Sequence, residues 1–200
     1  MVVVGPWVDY IAGHVLRLWS GYPVMDWPRS PTVSQIGSHS AQSPIAALAL
    51  LTTTWTAAAA FDWPAANQAI FVPLAVPVWQ RWSYGFWING STITSSNVDV
   101  GIYSIDGVRL ASTGSVVMAG ATNYQSSTLL STVELPPGPY YLAMSCNNTT
   151  ARGWGVSTPS VTEGRMAGLL QMASAFPLPA TATFSQWAST GYPYFGIANF

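Results

Sequence analysis

The sequence predicts a mainly β protein: an antiparallel β-sandwich, jelly-roll-like in its connections, with an N-terminal helix and an extended arm. Three observations carry this expectation. From about residue 67 onward, short apolar segments recur between Gly and Pro turn signals. One of them, "NVDVGIYSIDGVRLASTGS" at 97–115, alternates apolar and polar residues on both sides of an Asp-Gly pair. Convincing helical spacing occurs only near the start of the chain, within residues 7–20. The expected division is an arm over 1–66 and a sandwich over 67–200.

In chain order, "WVDYIAGHVLRLWS" places Trp7, Tyr10, Ile11, His14, Val15 and Leu18 on one helical stripe. Pro6 precedes the first turn, Asp9 lies within it, Arg17 sits near the C-terminal end and Gly21 follows. Each suits the helix dipole or a cap. His14 on such a stripe reads as a packed histidine. Between 21 and 66 the pattern is irregular, and "MDWPRSP" and "FDWPAAN" both read as turns because Pro pushes the preceding Trp toward extended geometry. Beyond 66, "AIFVPLAV", "VWQRWSYGFWING" and "STLLSTVELPPGPYYLAMSCNN" read as strands, the last as two strands joined through Pro-Pro-Gly-Pro. "ATATFSQWA" and "YFGIANF" continue the pattern, and "RMAGLLQMASAF" is ambiguous between helix and strand because of Gly168.

The hairpin register follows from burial. A two-residue Asp106-Gly107 loop would mix apolar and polar groups on each face. A three-residue loop of Ile105, Asp106 and Gly107, closed by Gly107 in the left-handed region, pairs Ser104 with Val108 and Ile102 with Leu110. Val98, Val100, Ile102, Val108 and Leu110 then share the core face, and Asp99, Tyr103, Arg109 and Ala111 the other. A one-residue slip reverses every side chain, so the second register is expected.

Composition narrows the function. Charged residues are 6% of the chain and hydrophobic ones 50%, with six Arg, no Lys and a net charge of -1. So little charge suggests a surface partly covered by other subunits. Nucleic acid is not expected as a partner, because no basic cluster exists to meet phosphates. Cys146 is alone and in phase with Leu142 and Met144, which predicts a buried thiol. "MVVVGPWVDY" has no basic segment before its apolar residues, so a secretory signal is not expected. The apolar stretch 43–61 carries four Thr and many Ala, which make it weakly hydrophobic, so membrane insertion is not expected either.

Catalytic signals are thin, and the reading is of a non-enzyme. There is no G-x-S-x-G elbow, no phosphate-binding Gly-rich loop and no spacing of His, Cys or acids that predicts a metal or cofactor site. Asp106 is explained by its turn, and no pair of acids stands out. The aromatic residues say more. In "VWQRWSYGFWIN", Trp82, Tyr84, Phe86 and Ile88 fall on one face and are assigned to the core; Trp79, Arg81 and Trp87 fall on the other. That second set resembles a sugar-binding strip of flat rings and a guanidinium, or a surface that packs on a partner. Tyr103 and Arg109, paired across the hairpin, extend this candidate surface or make a local cation–π contact. The N-x-S/T patterns "NGS" at 89–91 and "NNTT" at 147–150 read as turns.

The segments "VDVGIYSIDGVRLASTGS", "ELPPGPYYLAMS" and "AFPLPATATFSQWASTGYPYFGIANF" resemble β-sandwich domains of tailed-bacteriophage virion proteins: minor tail proteins, fibres and head-associated spikes. The resemblance spans about residues 67–200. It implies a virion location, assembly with other virion proteins and with copies of itself, often as trimers, and in some cases contact with a host surface glycan. The arm, with its stripe of Trp7, Tyr10, Ile11, Val15 and Leu18, would then dock on the particle. The alternative is a stand-alone carbohydrate-binding module, which has no need of a Trp-rich 66-residue extension with so little charge.

Overall fold

The computed structural model describes residues 58–93, 95–156, 160–189 and 191–199, which belong to one compact unit. The chain there is mainly β, and every strand pairing is antiparallel. The strands in chain order are β1 (Ala58–Asp62), β2 (Gln68–Val76), β3 (Gln80–Ile88), β4 (Asn97–Ser104), β5 (Arg109–Ser112), β6 (Val116–Val117), β7 (Tyr124–Leu135), β8 (Gly138–Cys146) and β9 (Arg152–Val156). A short helix α1 (Val161–Met166) follows, then β10 (Leu170–Met172), β11 (Ser185–Gln186), β12 (Tyr192–Pro193) and β13 (Phe195–Ala198).

The largest sheet runs β11-β10-β2-β8-β4-β5, with β6 also on β4. Facing it are the sheets β13-β3-β7 and β1-β9-β12. Tyr194 joins these two: its N–H donates to the Trp154 carbonyl at 2.8 Å and its carbonyl accepts from the Ile88 N–H at 3.3 Å. The pairings nest, β2 with β8, β3 with β7 and β4 with β5. The main core lies between the layers. Ile70, Val72, Val100, Ile102, Leu142 and Met144 come from the large sheet, and Trp82, Trp87, Leu135, Phe195 and Ile197 from the facing one. This is a sandwich-like arrangement, and alternation along β2, β4 and β8 supplies its inward faces.

Two boundaries differ from expectation. β1 pairs along its length with β9, and Trp63 is buried in the main core, donating its indole N–H to the Gln68 carbonyl at 3.0 Å. The sheet domain therefore begins before residue 67. The short helix also lies earlier than "RMAGLLQMASAF": it starts after Ser160, whose side chain accepts from the Glu163 N–H while the Glu163 carboxylate accepts from the Ser160 N–H. Gly168, at φ 76°, ends the turn, and Leu170–Met172 pairs with β2 as strand β10. The other expected strands fall where the segments predict, and Pro136 and Pro137 separate β7 from β8.

The hairpin forms with the expected loop. Ser104 N–H donates to Val108 O at 2.8 Å, Gly107 N–H donates to Ser104 O at 3.0 Å, and Gly107 sits at φ 83°. Tyr103 pairs with Arg109, but the register then shifts and Ile102 lies opposite Ala111 instead of Leu110. Leu110 is the extra residue of a bulge, packed half-buried against the main core, while Ala111 takes the buried position. Val108, assigned to the core face, is 49% exposed beside the loop. The face expected to meet solvent is also covered. Asp99 and Tyr103 are fully buried, because the segment between β10 and β11 crosses this side of the sheet and closes a second cluster with Ala69, Phe71, Ala143, Ala175 and Leu178. Both faces of the hairpin strand β4 are core.

Candidate functional site

The predicted strip of Trp79, Arg81 and Trp87 is divided by the fold. Trp79 is 67% exposed in the turn before β3, and Arg81 beside it is exposed, 4.0 Å from the Glu134 carboxylate on β7. Trp87 is completely buried and belongs to the main core. The cause is a register irregularity between Trp82 and Tyr84, which reverses the alternation of β3 part-way along. Trp82 and Trp87, an odd number of residues apart, thereby face the same core. Phe86, assigned to the core from its phase, is buried as expected, but it lies outside the main cluster and stacks on Tyr124 at 5.9 Å.

Tyr103 and Arg109 do not form an open surface either. Tyr103 O–H donates to the Pro179 carbonyl at 2.6 Å, and the Arg109 guanidinium donates to the Leu178 carbonyl. Burial raises the Tyr103 phenol above its usual range, with the Arg109 charge opposing. Both residues hold the segment between β10 and β11 in place. The proposed arm residues Trp7, Tyr10, Ile11, Val15 and Leu18 lie outside the described residues.

Several exposed apolar residues gather at one end of the sandwich, while others, Leu130 on β7 and Met166 on α1 among them, stand apart from it. Val76 pairs with Gly138, Ser104 with Tyr140 and Gln80 with Leu135, so three turns meet there: 77–79, 105–107 and 136–137. They carry Pro77, Val78 (49% exposed), Trp79, Ile105 (51% exposed), Pro136 and Pro137, with Asp106 and the Arg81–Glu134 pair as charged neighbours. The end is apolar, with hydrogen-bonding groups at its margin.

Two buried polar residues, Asn89 and Asp99, escaped the sequence reading. Asn89 accepts from the Trp87 indole N–H at 2.9 Å and donates to the carbonyls of Ala119 and Gly120 and to Gln125. It is a fully buried junction and no acceptor for a glycan. Asn148, in the second N-x-S/T pattern, accepts from the N–H groups of Thr150 and Ala151, which bears out the turn. Asp99 accepts from Leu178 N–H at 3.0 Å and Thr113 O–H at 3.2 Å, and desolvation raises its pKa against those bonds. Asn89 sits beside an exposed-looking Gly-Ser and Asp99 in an ordinary alternation, so neither announced its burial.

Among the described residues no group of three His, Cys, Asp or Glu is placed to hold a metal ion, and none is a histidine. Asp62 pairs with Arg152 at 2.8 Å and Glu163 caps α1, so these acids have structural work. Cys146 is buried, and desolvation raises its thiol pKa. No helix among the described residues is long and apolar enough to cross a membrane. Fold and surface together define a mainly β, antiparallel-sheet protein with an exposed apolar end. No protein-family model matches the chain, and no curated protein is similar to it.

Proposed function

We propose that the protein acts by contact, as a structural component of a tailed-phage virion that docks through the residues before β1 and presents its sandwich, jelly-roll-like in its nested pairings, to a neighbouring subunit or a host surface. The observation that carries this reading is the exposed apolar end built from Val78, Trp79 and Ile105 on a chain with only 6% charged residues. Exposed apolar groups gathered on a sparsely charged surface favour association with other surfaces over free diffusion. The resemblance of the strand segments to phage sandwich domains supplies the setting. The test is to purify the particles produced by the genome that encodes this chain, identify their proteins by mass spectrometry, and label them with antibody to the sandwich. Presence at a fixed site supports the reading; absence from purified particles overturns it.

A second reading, a carbohydrate-binding module, is favoured by the open Trp79 ring beside the exposed Arg81 and Glu134. A ring of this kind stacks on the apolar face of a pyranose while the charged pair meets its hydroxyls. Glycan-array binding by the isolated protein, lost in Trp79→Ala, would favour it.

A further inference from the structure

We propose that residues 173–184 form a flap over the outer face of the large sheet, latched through Asp99, and that ionisation of Asp99 loosens the latch. The ends of the segment are fixed where β10 and β11 pair through Leu170 with Gln186 and Gln171 with Ser185. From that edge the flap reaches across to β5 and the hairpin loop. Leu178 N–H donates to Asp99 Oδ2, Arg109 N–H to Ala180 O at 2.9 Å, and Ala182 N–H to Gly107 O at 2.7 Å. Its apolar anchors are the buried Ala175, Leu178 and Ala182 and the half-buried Phe184, whose ring packs edge-on against Phe71 at 5.0 Å and tilted against Tyr141 at 4.9 Å. Aromatic packing thus holds the flap near its β11 end, and the polar anchors hold its middle to β4 and β5.

Asp99 is the titratable anchor. The flap sequence "ASAFPLPATATF" contributes no titratable side chain of its own. From β4 the Tyr103 phenol and from β5 the Arg109 guanidinium face the same region, and both donate to flap carbonyls. Ser112 and Thr113 stand beside the carboxylate, and Ser145 lies opposite it on β8 with a buried hydroxyl that has no hydrogen-bond partner. A neutral Asp99 keeps an acceptor oxygen for Leu178 N–H and gains an O–H for which Ser145 is a ready acceptor. The ionised form sits fully buried in no close ion pair; the Arg109 charge and the bonds from Leu178, Thr113 and Ser112 favour it, but the desolvation of burial outweighs them. Lifting the flap returns the charge to water, so rising pH favours opening. Opening uncovers Phe71, Tyr103 and Ala143.

The test is amide hydrogen exchange on the full-length protein from about pH 4.5 to about pH 8.5, corrected for intrinsic exchange, with the Asp99 carboxyl carbon titrated by NMR. The expected result is that protection of the Leu178 and Ala182 amides falls above the Asp99 titration, by up to about tenfold per pH unit, while amides of β2 and β8 hold. Asp99→Asn should remove this slope and keep the flap closed. An identical slope in Asp99→Asn overturns the proposal. So does a carboxyl that titrates below the ordinary carboxylate range, a result that needs no variant.

Discussion

Two tryptophans close in sequence show how far side-chain type alone falls short of a site. Trp87 fills the core and donates to Asn89, whereas Trp79 stands in solvent. Trp87→Ala should cost about 3–5 kcal/mol, since it removes a large buried ring and strands the Asn89 carbonyl. Trp79→Ala should stay within about 0.5 kcal/mol of the parent while reducing any partner or glycan binding. Urea denaturation midpoints with unchanged slopes would check both. Asp99 sets a further expectation at this scale. Burial raises its folded carboxyl above the ordinary aspartate range, so the folded state keeps this proton where the unfolded chain has lost it. Its contribution to stability is complete below the unfolded value and is lost as pH rises through the folded one. Asp99→Asn should flatten that part of the stability–pH curve, and a curve unchanged by the substitution would contradict the assignment.

At the scale of elements, strand positions were legible wherever alternation and turn chemistry agreed, as in β2, β7, β8 and the three-residue hairpin loop. Alternation could not reveal the irregularities that re-aim strands. The shift near Ser83 sends Trp87 inward, and the bulge at Leu110 hands its buried place to Ala111. Nor could it reveal that a distant segment covers the second face of β4, because long-range covering leaves no local period. The capping box of Ser160 and Glu163 was readable and marks a helix too short to show a stripe. Gly107 couples hairpin and flap. It occupies φ 83°, and a Cβ there would lie 2.6 Å from the Ala182 carbonyl oxygen. Gly107→Val should therefore destabilise the domain by more than strain in a free hairpin loop would, by about 2 kcal/mol or more, and expose the flap amides to exchange. Normal flap protection in a folded Gly107→Val protein would separate the two elements.

For the molecule as a whole, the question is where the self-sufficient domain starts and what the rest is for. Burial answers the first part. Trp63 packs in the main core and β1 completes the edge of β9, so residues 58–66 are needed by the sandwich even though their Pro-rich sequence reads as arm. A chain beginning at residue 58 should fold cooperatively with a denaturation midpoint close to that of the full protein. A chain beginning at residue 67 lacks β1 and the Trp63 ring and should lose at least about 3 kcal/mol, the usual cost of removing one buried aromatic side chain. The same pair of truncations tests the docking role of the earlier residues. The apolar stripe assigned to Trp7, Tyr10, Ile11, Val15 and Leu18 would leave a large patch in water unless a partner covers it. Removing residues 1–57 should therefore abolish concentration-dependent association, measured by static light scattering across a wide concentration range, without touching the stability of the sandwich. If the shortened protein associates as the full one does, the apolar end at Trp79 becomes the assembly surface and the arm loses its proposed role. If it fails to fold, residues before Ala58 contribute to the core, and the boundary moves toward the N-terminus.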